Sequence, residues 1–392
     1  MKLFDETLLV ASPDAPSTAT LATASDLRVT LHRPASLCQS ARRHWANLTA
    51  SAAPGNIFAA DWFMEPALRH CGHERSLRLA VVENAAGLWL GALPLTLEPQ
   101  IGRWPAPTWQ GWHAANQFIG TPLIRAGGEK AFWQALLAHF DRHPGLALAL
   151  YIDTLPLTDP ASLALIGLCA EQGRALHGHH TFTRPARIAT RPVSDATADA
   201  NNSDVKKLNK RLDGLERKLA QAHGPVALVL HQQSEACEPW LAAFLALERA
   251  GWKGRADSAI GCHKATTGLF REVIREGHKR HAVRLASLIA DERIVAMTSW
   301  LVADGHGYGF KMAFDEAFRS FAPGRLLMRR VAALAKDEAI TLFDTCAVPD
   351  APGDPLWPDR RAFGSFAIGI GGRARKAAFN RLMAMQTAWH RL

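Results

Sequence analysis

Four residues close together in the chain, Tyr308, Lys311, Asp315 and Glu316, are of the types that take up or release protons. They stand just ahead of Ala322-Pro323-Gly324-Arg325, which reads as a turn opening a helix. Free N–H groups at a helix start, a glycine that permits close approach, and Arg325, Arg329 and Arg330 in the first turns together suit a phosphate or pyrophosphate. Pro-Gly is also ordinary punctuation ahead of a helix, so the pattern alone leaves both readings open. Asp315 and Glu316 fit a proton-handling pair or a solvated turn after a strand. Lys311 is harder to assign to solvent, because it interrupts the apolar run GFKMAF. An inward ammonium there needs an acidic partner, and Asp344 on the next expected strand is the candidate. Upstream, Trp252-Lys253 either line a pocket or anchor a helix end.

Other chemistries are poorly supplied. His177, His179 and His180 lie close together, but no carboxylate or cysteine accompanies them at ligand spacing, and a surface loop is expected there. No Walker loop, zinc ligand set or GxSxG elbow is present. The six cysteines are scattered without a CxxC pair, which suits a reduced, cytoplasmic protein, and Cys262 and Cys346 read as buried thiols. The start of the chain lacks the plan of a secretion signal, and no uncharged apolar run approaches the length needed to span a bilayer.

These residues must be held by a chain of 392 residues, long enough for two domains. Its formal charge of +9 is unevenly spread: residues 1–196 carry 16 basic and 15 acidic side chains, residues 197–392 carry 29 and 21. An anionic partner is therefore expected at the second half. Residues 1–27 read as a loose leader. A first α/β unit, 28–192, is expected to contain helices over 37–48, 129–143 and 160–172 and strands over 77–83, 88–97 and 147–153. The polar stretch 193–203 reads as a linker. From 204 a basic helix has Val205, Leu208, Leu212, Leu215 and Leu219 on one face and Lys206, Lys207, Lys210, Arg211, Arg217 and Lys218 over the rest. A strand at 226–231, helices at 239–249 and 266–279, a meander at 283–290, 294–302 and 307–314, a helix from Pro323 to about Glu338 and a strand at 340–346 complete a second unit, 204–392. The two halves share an order of elements loosely, as a degenerate duplication would.

FLALERAGWKGRADSAI (244–260), YGFKMAFDEAFRSFAPGRLLM (308–328) and Phe343-Asp344 resemble the GNAT-superfamily acyltransferases of the CelD/BcsL type, associated with cellulose and exopolysaccharide gene sets. The resemblance is clearer over residues 200–365, and the first half is similar through Trp89, Gly91 and Leu93 to Leu95. It implies an α/β (α+β) fold of tandem GNAT-like domains, each a mixed, largely antiparallel sheet flanked by helices, with the second carrying the donor site. It also implies that the pyrophosphate of acyl-CoA, a co-substrate, rests on Ala322, Pro323, Gly324 and Arg325, with Arg329 beside it. Where the superfamily signature R/QxxGxG/A has two glycines, this turn has Gly324 alone.

Acyl transfer from a thioester needs a base for the acceptor, a donor to the carbonyl oxygen and an acid for the leaving thiolate. On this reading Asp315 and Glu316 are the candidate bases, Lys311 holds the acceptor or stabilises charge, Tyr308 is the candidate acid, and Trp252, Lys253 and Asp344 face the acceptor. No metal is called for. The expected activity is N- or O-acylation of an envelope lipid or polysaccharide precursor, with a long-chain amino-alcohol base among the candidate acceptors, at or near the inner face of the membrane. Two alternatives stand beside it: an aminoacyl-tRNA-dependent transferase, and a non-catalytic GNAT-like binding module. The basic helix would meet CoA phosphates, tRNA, anionic lipid headgroups or only water.

Overall fold

The computed structural model describes residues 26–53, 56–102, 104–189 and 195–389. The leader expected over 1–27 lies almost wholly outside them. The first half runs β1 (Arg28–His32), α1 (Gln39–Ala50), α2 (Asp61–Cys71), β2 (Arg78–Glu83), β3 (Trp89–Glu98), β4 (Thr108–Gly111), β5 (Leu123–Ile124), α3 (Glu129–Arg142), β6 (Ala149–Pro156), α4 (Pro160–Glu171) and β7 (Leu176–Ile188). The second runs α5 (Asp195–His223), β8 (Val226–Leu230), α6 (Cys237–Ala250), α7 (Trp252–Arg255), α8 (Lys264–Lys279), β9 (Val283–Ala290), β10 (Arg293–Ala303), β11 (His306–Phe314), α9 (Pro323–Asp337), β12 (Leu342–Asp344), β13 (Asp359–Gly369) and α10 (Arg373–Trp389).

Local chemistry explains the hairpins. Between β2 and β3 the Asn84 carboxamide oxygen accepts from the Ala86 and Leu88 N–H groups. Between β10 and β11, Asp304 (φ 50°) and Gly305 (φ 74°) both take positive φ, the combination that matches the twist of a two-residue hairpin.

All the strands belong to one sheet, ordered β1-β2-β3-β4-β6-β13-β7-β12-β11-β10-β9-β8, with β5 beside β3. Read inward from either end the pattern is the same. Three antiparallel pairings (β1/β2/β3/β4 and β8/β9/β10/β11) lead to one parallel pairing (β4/β6 and β11/β12), then to an antiparallel join onto the central β13/β7 pair. The mixed, largely antiparallel sheet with helices on its faces is thus built twice around one shared pair. That pair is exchanged: β13, last in the chain, sits between two strands of the first half.

The core follows the same plan. Phe58 and Phe63 from the first half stack edge-on against Tyr308 and Phe310 of β11. Helices α2 and α8 cross so closely that a Cβ on Gly277 would lie 2.8 Å from the Trp62 ring. On the opposite face α5 and α9 bury Leu212, Leu219, Leu326, Leu327 and Val331 against the second half, and α3 and α4 cover the first.

Two expectations are corrected. The segment expected as a linker over 193–203 is helical from Asp195, so α5 begins nine residues earlier than the expected start at 204; 193 and 194 lie outside the described residues. His177, His179 and His180 lie on β7, not on a loop, and His177 Nε2 shares a hydrogen bond with Asn380 Oδ1 at 2.9 Å. Among the described residues no cluster of ligand side chains could hold a metal ion, and no helix is long and apolar enough to cross a membrane.

Candidate active site

A break in the sheet makes the site. β11 and β12 pair at only three positions, ending at Tyr308 opposite Asp344. On its other side β11 carries a bulge: Lys311 faces Ser299 and Gly309 faces Trp300, so Phe310 is the extra residue. A bulge bends its strand and re-aims its side chains, and here it turns β11 away from β12. Gly309 is required at the parting point, since a Cβ there would fall 2.5 Å from the Thr345 carbonyl oxygen. The gap is a cavity of about 510 Å³, lined by Thr298, Lys311, Met312, Phe314, Met328, Thr345 and Trp357, with Arg319, Pro323, Gly324 and Arg325 at the α9 end.

The helix end of this groove is poorer in charge than the sequence suggests. Ala322 is left-handed (φ 51°, ψ 52°), which reverses the chain into α9, and its carbonyl accepts from Arg325 and Leu326. Pro323 has no N–H, so Gly324 offers the N–H that has no hydrogen-bond partner among the described residues. Of the three arginines, Arg325 is held bidentately by Asp354. Arg329 turns toward α5, 2.6 Å from Asp213 and 2.5 Å from Glu216, and Arg330 joins it on Glu216. The last two lie away from the groove lining and are already neutralised. Arg329→Ala is therefore expected to leave donor KM unchanged while loosening α5 from α9, read as a fall in Tm; a rise in KM matching that of a groove variant would restore Arg329 to the donor site. Arg319 lines the groove with no ion pair among the described residues.

The expected proton-handling residues separate. Asp315 caps the 3-10 turn 316–321, accepting from the Ala317 N–H at 2.9 Å, and pairs with Arg293 at 2.9 Å. Glu316 accepts from the Trp252 N–H at 2.8 Å and from Arg255 at 2.7 Å, and that arginine holds its carboxyl below the usual range. Both are braces of α7 and the turn, and neither lines the groove. Tyr308 is 1% exposed, packed against Phe58, with its hydroxyl 3.4 Å from His306 Nδ1; burial drives its pKa far above the phenolic range, and it too faces away from the cavity. Trp252 is 54% exposed and lies outside the groove lining.

Asp344 does not partner Lys311. It is fully buried at the end of β12, 3.1 Å from Arg361 and 3.9 Å from Arg184, while Arg361 Nη2 donates to both carboxylate oxygens of Asp159 at 2.9 Å. These charges come from β13, β12, β7 and the cap of α4, and they lock the central strands.

Lys311 alone of the proton-handling set lines the groove. Among the described residues no carboxylate lies within ion-pair distance of its Nζ, and the Phe118 ring, from the first half, is 5.8 Å away. Burial, and then the charge of Lys253, lower its pKa to about 8. Lys253 is itself fixed: its Nζ donates to Glu248 Oε1 at 2.9 Å and to the Met312 carbonyl at 3.0 Å. Glu248 is 3% exposed, and its other oxygen accepts from the Ile260 N–H at 2.8 Å. Glu248 escaped the sequence reading, although a lone glutamate in FLALERAGWKG, five residues before a lysine, is a trace of it. Burial, and then the charge of Asp344, push the Cys346 thiol well up, as the buried-thiol reading expects, whereas Cys262 is only half-buried. A lysine that is half neutral near pH 8 in a largely apolar groove can take and return a proton.

Residues 206–352 match the model of the acetyltransferase (GNAT) domain. No curated protein matches the chain. Among solved structures it is similar to FemX, at 11% identity over 87% of this chain and 98% of that one, TM-score 0.52. It is likewise similar to the C-terminal domain (DUF2156) of a putative lysylphosphatidylglycerol synthetase from Agrobacterium fabrum, at 12% identity over 86% and 94%, TM-score 0.50. At such identities the likeness is one of fold. The segment that matches that model carries most of the groove lining, and the sheet is doubled around its central pair.

Proposed function

We propose that the protein is an acyltransferase that moves an acyl group from acyl-CoA to an amine or hydroxyl, with the donor lying between β11 and β12 and Lys311 handling the proton. The observation that carries this is Lys311 itself, a half-buried lysine at the wall of the groove with no carboxylate within ion-pair distance among the described residues. In the step envisaged, the acceptor nitrogen or oxygen attacks the thioester carbon, its proton passes to the neutral Lys311 amine, the C–S bond breaks, and the resulting ammonium protonates the leaving thiolate. Arg319 and the Gly324 N–H are the groups left to meet the donor's phosphates. The CelD/BcsL resemblance and a largely apolar groove favour an envelope lipid or polysaccharide precursor as acceptor, a long-chain amino-alcohol base included, with the protein working in the cytoplasm at the membrane's inner face.

The test is thermal stabilisation by CoA together with thiol release from acyl-CoA when amine or alcohol acceptors are supplied. Gly324→Leu, which projects a side chain toward Met312 and Phe314, is expected to remove the stabilisation without unfolding the protein. Protein that neither binds CoA nor releases thiol with any acceptor of the class would fail this reading and favour a binding module.

A second donor has one observation behind it. On α5, Lys206, Lys210, Arg211, Arg217 and Lys218 are exposed and make no ion pair among the described residues, and Lys207 makes one at 3.5 Å with Asp204. Such a stripe suits tRNA or an anionic membrane surface. Aminoacyl-tRNA as donor predicts binding that weakens steeply with salt and is lost when the stripe is neutralised; retention of tRNA binding by the neutralised helix would end that alternative.

A further inference from the structure

A second cavity lies in the first half, outside the segment that matches the GNAT domain and sharing no lining residue with the groove. It has a volume of about 730 Å³ and is built from the turn after β1, the last turns of α2 and the loop into β2. Its floor is apolar, with Leu68 and Leu77 buried and Leu37 and Pro34 half-buried. Gly72 keeps that floor closed, since a Cβ there would fall 2.6 Å from Leu77 Cδ2. The lining holds five arginines, Arg33, Arg42, Arg69, Arg75 and Arg78, against two glutamates, Glu65 and Glu74.

Two of these arginines are spent, Arg42 on Glu65 at 2.8 Å and Arg69 on Glu272 at 2.6 Å. Arg78 donates to the carbonyls of Arg75 and Leu77 and meets no carboxylate, and Arg33 and Arg75 have no ion pair among the described residues. Three guanidinium groups thus stand over an apolar floor with Glu74 as the remaining unpaired carboxylate. The near balance of charge over residues 1–196 conceals this concentration. The volume falls within the range of small-molecule sites, guanidinium groups recognise oxyanions by paired N–H donors, and the leucine floor takes hydrocarbon.

We propose that this cavity binds an amphiphilic anion, an alkyl chain ended by a carboxylate or phosphate, with the head on Arg33, Arg75 and Arg78 and the chain over Leu68 and Leu77. The inference is independent of the acyl-transfer reading.

Isothermal titration of the full-length protein with dodecanoate and with dodecyl phosphate, below micelle formation, tests it and separates the two head groups. One amphiphile is expected to bind per chain, and Arg33→Ala/Arg75→Ala, both at exposed positions, to weaken it by about tenfold or more. Ala35→Glu, which puts an opposing charge in the lining, is expected to do the same, while Gly324→Leu in the groove leaves the affinity unchanged. Equal binding by the double arginine variant, loss of binding in Gly324→Leu alone, inorganic phosphate binding as tightly as dodecyl phosphate, or no binding by either amphiphile would each overturn the proposal.

Discussion

Lys311→Met is expected to lower kcat by about 10² to 10⁴, the span a single positioned acid–base group contributes, while raising Tm at pH 7. The two effects have one cause. Lys311 is held in the groove without a carboxylate partner, and burial together with the Lys253 charge brings its pKa to about 8. Its folded pKa is therefore below its unfolded value near 10.5. The native state gives up this proton more readily than the unfolded chain, so the lysine costs stability below pH 8, and the cost fades as pH rises from there to about 10.5. Methionine fills similar space without the charge, so the penalty disappears and the activity goes with it, as at sites where function is kept at the expense of stability. In the wild type, kcat/KM should climb about tenfold per pH unit below pH 8 and level off above it, because the neutral amine is the working form. The climb should be absent from Lys311→Met and from Lys311→Arg, whose guanidinium stays protonated. A variant that keeps the limb near pH 8 would remove Lys311 from the chemistry, and a variant with lower Tm would assign it a structural part instead.

Arg361→Met is expected to cost about 3–5 kcal/mol of stability, the usual result of removing one partner from a buried ion pair. Arg361 is 3% exposed, and its loss would leave Asp159 buried without its cation and Asp344 with Arg184 alone, 3.9 Å away. Burial already pushes the Asp159 carboxyl up, and the Arg361 charge holds it down. The effect should reach beyond one contact. Arg361 lies on β13, which joins β6 to β7, so the lesion falls on the seam between the halves. Urea unfolding should show a lower midpoint, and the double variant Arg361→Met/Asp159→Asn should recover part of the loss, since it leaves Asp344 with Arg184 and removes the carboxylate that would otherwise be stranded. A loss below about 1 kcal/mol, the worth of an exposed pair, would show that the network does not hold the seam.

Much of the second half was legible in the chain because its signals are local. The meander 283–314 is announced by alternating apolar residues and an Asp-Gly turn and the helix at Pro323 by its punctuation, each within a few residues of its expected limits; the basic helix is announced by leucines at spacings of three and four, although it begins nine residues early. Types and spacing also singled out Lys311 as a lysine within an apolar strand that needs explanation. They failed on its neighbours. Asp315 and Glu316 follow β11 directly and were natural bases, yet an N-cap and two arginines take both carboxylates out of the groove. Arg329 and Arg330 follow Gly324 at helical spacing, yet their side of α9 faces α5 and its acids.

The sequence by itself determined most of the elements, the α/β class, the helix start at Pro323-Gly324 and the anomaly of a lysine inside GFKMAF, because all of these follow from periodicity, turn chemistry and burial preference over a few residues. The tertiary structure decided which of those residues share a cavity. Strand exchange sets Asp159 against Arg361 and leaves Lys311 without its expected Asp344, since pairing across the seam joins segments some 200 residues apart. A one-residue bulge on β11 opened the groove, and local pattern gives little sign of a bulge whose position depends on the register of the neighbouring strand.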